Sequence, residues 1–140
     1  MVTPSQVQLV QRSWAAVAPI SQQAADLFYG QLFELDPLLR ALFPTEMAEQ
    51  KKKLMQTLAY CVNGLTDLGA IVPAVRELGK RHVGYHVRDE HYTTVGKALL
   101  WTLQQGLGEA FTPDVEEAWV AVYGVLSSTM KEAAAEVLPA

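Results

Sequence analysis

The sequence predicts an all-α domain. Apolar residues recur every three or four positions, as in Ile71, Val75, Leu78 and the place held by His82, which puts them on one helical face. No segment alternates strictly with period two beside an Asn-Gly or Asp-Gly turn, so no hairpin is expected. Pro19, Pro37, Pro44 and Pro113 fall at the joints between periodic segments, where proline is tolerated or terminates a helix.

Val7, Val10, Trp14 and Val17 form the first stripe. Thr3 reads as its N-cap, with Pro4 in the first helical position. Pro19 ends that helix, and Ser21 is expected to cap the next. There Ala25, Phe28, Leu32 and Leu35 share one face, with Tyr29 and Phe33 on an adjacent one. Asp36-Pro37 reads as the cap and first turn of a short helix. It must stop near Phe43, because Pro44 disfavours helical backbone before it. Thr45 is expected to open a helix with Met47, Leu54, Leu58, Cys61 and Leu65 inward and Gly64, Asp67 and Gly69 at its end. The His82 helix comes next, with Gly84 as its stop. Tyr92, Val95, Leu99, Leu103 and Leu107 carry a long helix. Thr112-Pro113 opens the last, with Val115, Trp119, Val122, Leu126 and Met130 inward. This makes six or seven helices of unequal length with short connections, as in a bundle or related packing.

The chain has 140 residues, enough to bury roughly two-thirds of its unfolded surface as one domain. No repeat or linker divides it, so residues 1–140 read as a single domain. Half of the residues are apolar and 19% are charged, a balance that excludes a disordered chain. The net charge is -4, and Lys51, Lys52 and Lys53 form its basic run. Three lysines suit a solvated helix face, so nucleic acid is not an expected partner. The lone cysteine, Cys61, cannot form an internal disulfide, which suits a reducing compartment. No signal peptide is evident, and no uninterrupted apolar run approaches the roughly 20 residues of a membrane span. A cytoplasmic setting without a membrane partner is expected.

His82 breaks the pattern, because it occupies an apolar stripe. An inward imidazole needs a partner, since buried unpaired polar groups are costly. A hydroxyl, a carbonyl, a carboxylate or a metal would serve. His86 lies four residues on and could share a metal on a continuous helix, although Gly84 intervenes and Lys80 and Arg81 add positive charge. The H-E-x-x-H, G-x-S-x-G, P-loop and paired C-x-x-C motifs are absent. Tyr29, Phe43, Gln50 and Leu54 are candidates to line a cavity with His82. Gln50 and Leu54 are four apart and share a helical face.

Several segments stand in a characteristic order along the chain. They are Leu27-Phe28-Tyr29, Leu42-Phe43, Gln50 through Leu54, His82, His91 through Gly96, and Ala118-Trp119 leading to Tyr123-Gly124-Val125. Together they resemble the globin family over nearly the whole chain, in particular the haem domain of bacterial flavohaemoglobins and single-domain bacterial globins. The resemblance implies a globin fold of about six to eight helices around one haem pocket, with haem b as cofactor. It implies that His82 is the proximal ligand to iron and that Phe43 wedges against the haem edge. Tyr29 and Gln50 become the distal polar pair, and Leu54 the apolar residue beside the ligand. Tyr92 lies near the proximal histidine, and Lys53 lies where a cation approaches a propionate. Leu78, Arg81, Val87 and Val95 are further residues expected to contact the cofactor.

The implied small ligands are oxygen, nitric oxide and carbon monoxide. The Tyr29 hydroxyl and the Gln50 amide can both donate to bound oxygen, which carries partial negative charge. Two such donors are expected to tighten oxygen binding by roughly one to three powers of ten. Tyr29 is also a possible ligand to ferric iron if it ionises. Two departures from the flavohaemoglobin pattern stand out. The chain ends at Ala140, so turnover is expected to need a separate reductase. A glutamate from the last helix is expected near the proximal histidine, but counting from Trp119 that position is Ala134. Glu132 and Glu136 sit two residues away, about 200° around the helix. Three functions compete: a haem protein that binds oxygen reversibly with high affinity for storage, scavenging or sensing, a nitric oxide dioxygenase using Tyr29 and Gln50 with a partner reductase, and a helical interaction module without haem.

Overall fold

Thr3 starts the first helix as its sequence context predicts. Its Oγ1 accepts from the Gln6 backbone N–H at 3.2 Å, and Gln6 Oε1 accepts from the Thr3 N–H at 2.9 Å. Two otherwise orphaned donors are satisfied by this reciprocal box. The computed structural model describes residues 2–84 and 89–137, and six α-helices occur among them. They are α1 (Pro4–Val17), α2 (Ser21–Leu35), α3 (Ala48–Asn63), α4 (Leu68–Gly84), α5 (Asp89–Leu107) and α6 (Pro113–Val137). Short 3-10 segments cover Ala18–Ile20, Pro37–Leu42, Gly64–Asp67 and Gly108–Ala110. No strand occurs among the described residues.

The joints differ from expectation in three places. Ser21 is the first residue of α2 rather than its cap, because a 3-10 turn runs into the helix and leaves no gap for a capping side chain. Thr45 does not open α3, which begins at Ala48, where Glu46 Oε1 accepts the backbone N–H. Leu35 is 43% exposed rather than inward, since it sits at the last turn of α2, beyond the neighbours that bury Leu32. The Asp36 cap and the stop at Phe43 are as expected. Asp36 Oδ1 accepts from Leu38 N–H at 3.2 Å, and Phe43 is extended (φ −115°, ψ 155°) before Pro44.

The main core gathers Val10, Trp14 and Val17 of α1, Phe28, Tyr29 and Leu32 of α2, Leu99 and Leu103 of α5, and Trp119 and Val122 of α6. The Trp119 indole N–H would be costly to bury alone. It donates to Ser13 Oγ at 2.8 Å, whose own hydroxyl reaches Leu9 O at 2.7 Å. A smaller cluster of Cys61, Ile71 and Val75 lies between α3 and α4.

Two packings position the candidate site. α2 lies against α5 and α3, and α4 lies along α6. At Gly79 an added Cβ would clash with Met130 O and stand 2.7 Å from Met130 Cα, so the α4 and α6 backbones are in direct contact. The exposed Arg76–Glu136 ion pair joins the same two helices. The stretch Ala48–His82 is long and apolar enough, by length and composition, to cross a membrane. Sequence reasoning missed this because scattered polar residues interrupt its apolar run. Cys61, Val62, Leu65, Ile71 and Val75 within it are buried in the domain.

Candidate functional site

Tyr29 is the centre of an aromatic group. It is 4% exposed, and its ring meets Phe28 edge-on with centroids 5.0 Å apart and Phe43 at 5.5 Å. Phe33, one helical turn along α2, lies 5.9 Å from Tyr29 and 5.5 Å from Phe43. Such tilted and edge-to-face contacts suit the ring quadrupoles. Gln50, in the first turn of α3, donates from Nε2 to Tyr29 Oη at 3.3 Å. The sequence expected two separate donors, and the structure shows that one addresses the other. Burial pushes the Tyr29 phenol above its ordinary value, with the Gln50 hydrogen bond opposing more weakly. At neutral pH the phenol therefore keeps its proton. Its oxygen accepts from Gln50, so its own O–H is available to donate to another acceptor.

His82 lies on α4, half-buried. Its Nδ1 is 2.7 Å from Leu78 O, one turn back. A carbonyl only accepts, so Nδ1 carries the proton and the lone pair of the neutral ring sits on Nε2. Of the partners left open by the sequence, a backbone carbonyl is the one that Nδ1 meets. Burial pushes the imidazole below its ordinary value. The Leu78 carbonyl opposes this, and the Arg81 charge adds to it. The ring's contribution to stability is therefore intact above the unfolded value near 6.5 and is lost as pH falls through the lower folded value.

The remaining residues fall into separate surroundings. Leu78 and Arg81 line a cavity of about 220 Å³ between α4 and α3, with Val75, Gln56, Thr57, Tyr60 and Cys61. Leu54 and Val95 are half-buried against the main core, and Lys53 is exposed. Val87 lies outside the described residues, as does His86. An adjoining face of α3, with Gln56 shared, borders a second cavity of about 620 Å³, where Met55 joins Trp14 and Ala25. Tyr29, Gln50 and His82 line neither cavity.

On the α6 side, Tyr92 is buried, and its carbonyl accepts from Tyr123 Oη at 2.5 Å. Burial pushes the Tyr123 phenol up, and Tyr92 adds to that. Lys131 Nζ stands 5.5 Å from the Tyr92 ring centroid. Ala134 is buried on α6, and Glu136 is turned to Arg76.

Sequence reasoning missed Phe33 and Arg40 as members of the site. Phe33 had a signal, its spacing of four from Tyr29. Arg40 had none, because its partners are backbone carbonyls that only the folded turn brings together. Its guanidinium reaches Phe43 O, Pro44 O and Thr45 O, and it lies over the Phe33 ring.

Residues 26–130 match the family model of the globins. The chain is 34% identical over 122 residues to a flavohemoprotein of Bacillus subtilis, covering 80% of this chain and 30% of that protein. It thus spans about a third of the length of the flavohemoproteins it matches. A neuroglobin of Danio rerio is 29% identical over 136 residues, covering 87% of this chain and 86% of the relative. An engineered carbene transferase, a variant of a candidate nitric oxide dioxygenase from Rhodothermus marinus, superposes with a TM-score of 0.88 at 26% identity, covering 98% and 96% of the two chains. A bacterial globin from Campylobacter jejuni shares the fold, with a TM-score of 0.85 at 21% identity over 96% and 98% of the chains. By family match, fold and helix order, the chain belongs to the globin family.

Proposed function

We propose that this globin holds haem b through His82 and binds oxygen reversibly and tightly beneath Tyr29. The observation that carries the reading is the Gln50–Tyr29 hydrogen bond on a phenol that burial keeps protonated. Bound haem supplies the iron centre at which oxygen and nitric oxide bind.

The donor set fits that cofactor. His82 Nε2 offers a lone pair, because Leu78 O holds the proton on Nδ1. Acid competes with iron for this lone pair, so uptake weakens as pH falls below the neutral range. Arg81, Leu78 and the α3 residues of the 220 Å³ cavity would line the cofactor's edge. With one cysteine in the chain, attachment through Cys-x-x-Cys-His is impossible, which supports a non-covalent haem. Gln50 orients the Tyr29 hydroxyl, and Tyr29 donates to the ligand. A phenol kept protonated by burial is able to donate to a bound ligand. On the other side, α6 carries the buried Ala134 where the family resemblance places a carboxylate, so that position adds nothing to the electron donation of the imidazole. Oxygen binding is retained, and activation of peroxide is weak.

A second reading is nitric oxide dioxygenase activity with a separate reductase. The likeness to the Rhodothermus marinus protein favours it. Stopped-flow mixing of the oxygenated protein with nitric oxide, followed by repeated cycles with a flavin reductase, decides between them. Oxygen binding alone predicts one turnover with no sustained nitrate formation, and many turnovers identify an enzyme.

A further inference from the structure

We propose that Arg40 is the positioning residue of the distal pocket, an inference that rests on the haem reading. The stretch Phe43 to Met47 lies outside any helix, between the 3-10 segment Pro37–Leu42 and α3, and its backbone is joined to them at its two ends, by Phe43 N–H to Arg40 O and by Lys51 N–H to Met47 O. Its place depends on what tethers it, and one side chain supplies most of the tether. Arg40 Nη1 donates to Pro44 O at 2.9 Å and to Phe43 O at 3.4 Å, and Nη2 donates to Thr45 O at 3.1 Å. The Phe43 N–H returns to Arg40 O at 3.2 Å. Three successive carbonyls thus converge on one guanidinium. Its Cζ stands over the Phe33 ring, 5.5 Å from the centroid. A planar cation can donate along its edge while stacking on its face, whereas an ammonium is a single point charge.

Arg40 therefore clamps the Phe43 backbone to Phe33 of α2, and both rings touch Tyr29. When the clamp is lost, the segment slackens, Phe43 withdraws and the Tyr29 hydroxyl loses its aim. Arg40 touches no ligand and acts through Tyr29.

The test compares Arg40→Ala and Arg40→Lys in haem-loaded protein, each with and without Tyr29→Phe. Arg40→Ala raises the oxygen dissociation rate about threefold to tenfold, a change of the size expected for one lost hydrogen bond. Arg40→Lys stays nearer to the alanine variant than to wild type. In the Tyr29→Phe background the Arg40→Ala increment shrinks below about twofold, because coupled residues are not additive. In the haem-free chain Arg40→Ala also abolishes the nuclear Overhauser contacts between the Phe33 and Phe43 rings. Persistence of those contacts overturns the proposal, as does an equal increment in both backgrounds. If wild type takes up no haem, or Tyr29→Phe alone leaves oxygen release unchanged, the haem reading fails first and the proposal falls with it.

Discussion

Replacing Tyr29 with phenylalanine should speed oxygen release by about tenfold to a hundredfold, since a hydrogen bond to a charged acceptor contributes about 1.5–3 kcal/mol. The substitution removes one oxygen atom and keeps the ring. Contacts with Phe28, Phe33 and Phe43 therefore survive, and folding stability changes by less than about 1 kcal/mol. Gln50 loses the acceptor it addresses. It is half-buried rather than sealed in, so its amide can turn to water. Carbon monoxide carries less charge than oxygen when bound, so its release should change less. Stopped-flow displacement of both gases provides the comparison. Equal oxygen release in wild type and Tyr29→Phe would remove Tyr29 from the site. Gln50→Leu should give a smaller increase, because its structural role is to orient the phenol.

The largest stability effect is expected at Gly79. An alanine Cβ would clash with Met130 O and stand 2.7 and 2.9 Å from Met130 Cα and C. Backbone inside α6 cannot swing aside as a side chain can, so α4 must lift. Overpacking of this kind costs about 1–3 kcal/mol, and the better helix propensity of alanine returns no more than about 1. Gly124→Ala is the natural control, since it lies in α6 with nothing within 4 Å of the added Cβ. That substitution should stabilise by up to about 1 kcal/mol. Thermal melts of the two variants should move in opposite directions, by about 2–4 °C per kcal/mol. A Gly79→Ala variant as stable as wild type would show that α4 and α6 do not touch there. Because His82 is three residues on, the same lift should also loosen the cofactor.

The helices were legible because their periodicity is strong. Thr3-Pro4, Asp36-Pro37 and Thr112-Pro113 each mark a start that the structure retains. Joints were harder. Ser21 and Thr45 look like caps in sequence, but a 3-10 turn and the Glu46 side chain take those places. The stripe of Ile71, Val75, Leu78 and His82 correctly set the face of α4. It could not reveal which atom holds the imidazole, because a helix carbonyl leaves no mark in residue identity. The approach of α4 to α6 at Gly79 was equally hidden. Gly79 alone reads as a tolerated helical glycine, and only the Met130 backbone beside it gives it a purpose. Tyr29 and Gln50 were each singled out in the sequence as candidates to line a cavity. Their contact depends on how α2 crosses α3, which no local pattern encodes.

The central claim is that His82 is the residue through which this globin holds its cofactor. Titrating haem into the purified chain, for wild type and for His82→Gly, tests it most directly. Wild type should take up one equivalent with a sharp Soret band. His82→Gly should lose that spectrum and regain it when free imidazole is added, since the small ligand can occupy the vacated position. Unchanged uptake and spectrum in His82→Gly would contradict the account, as would a wild-type chain that stays colourless.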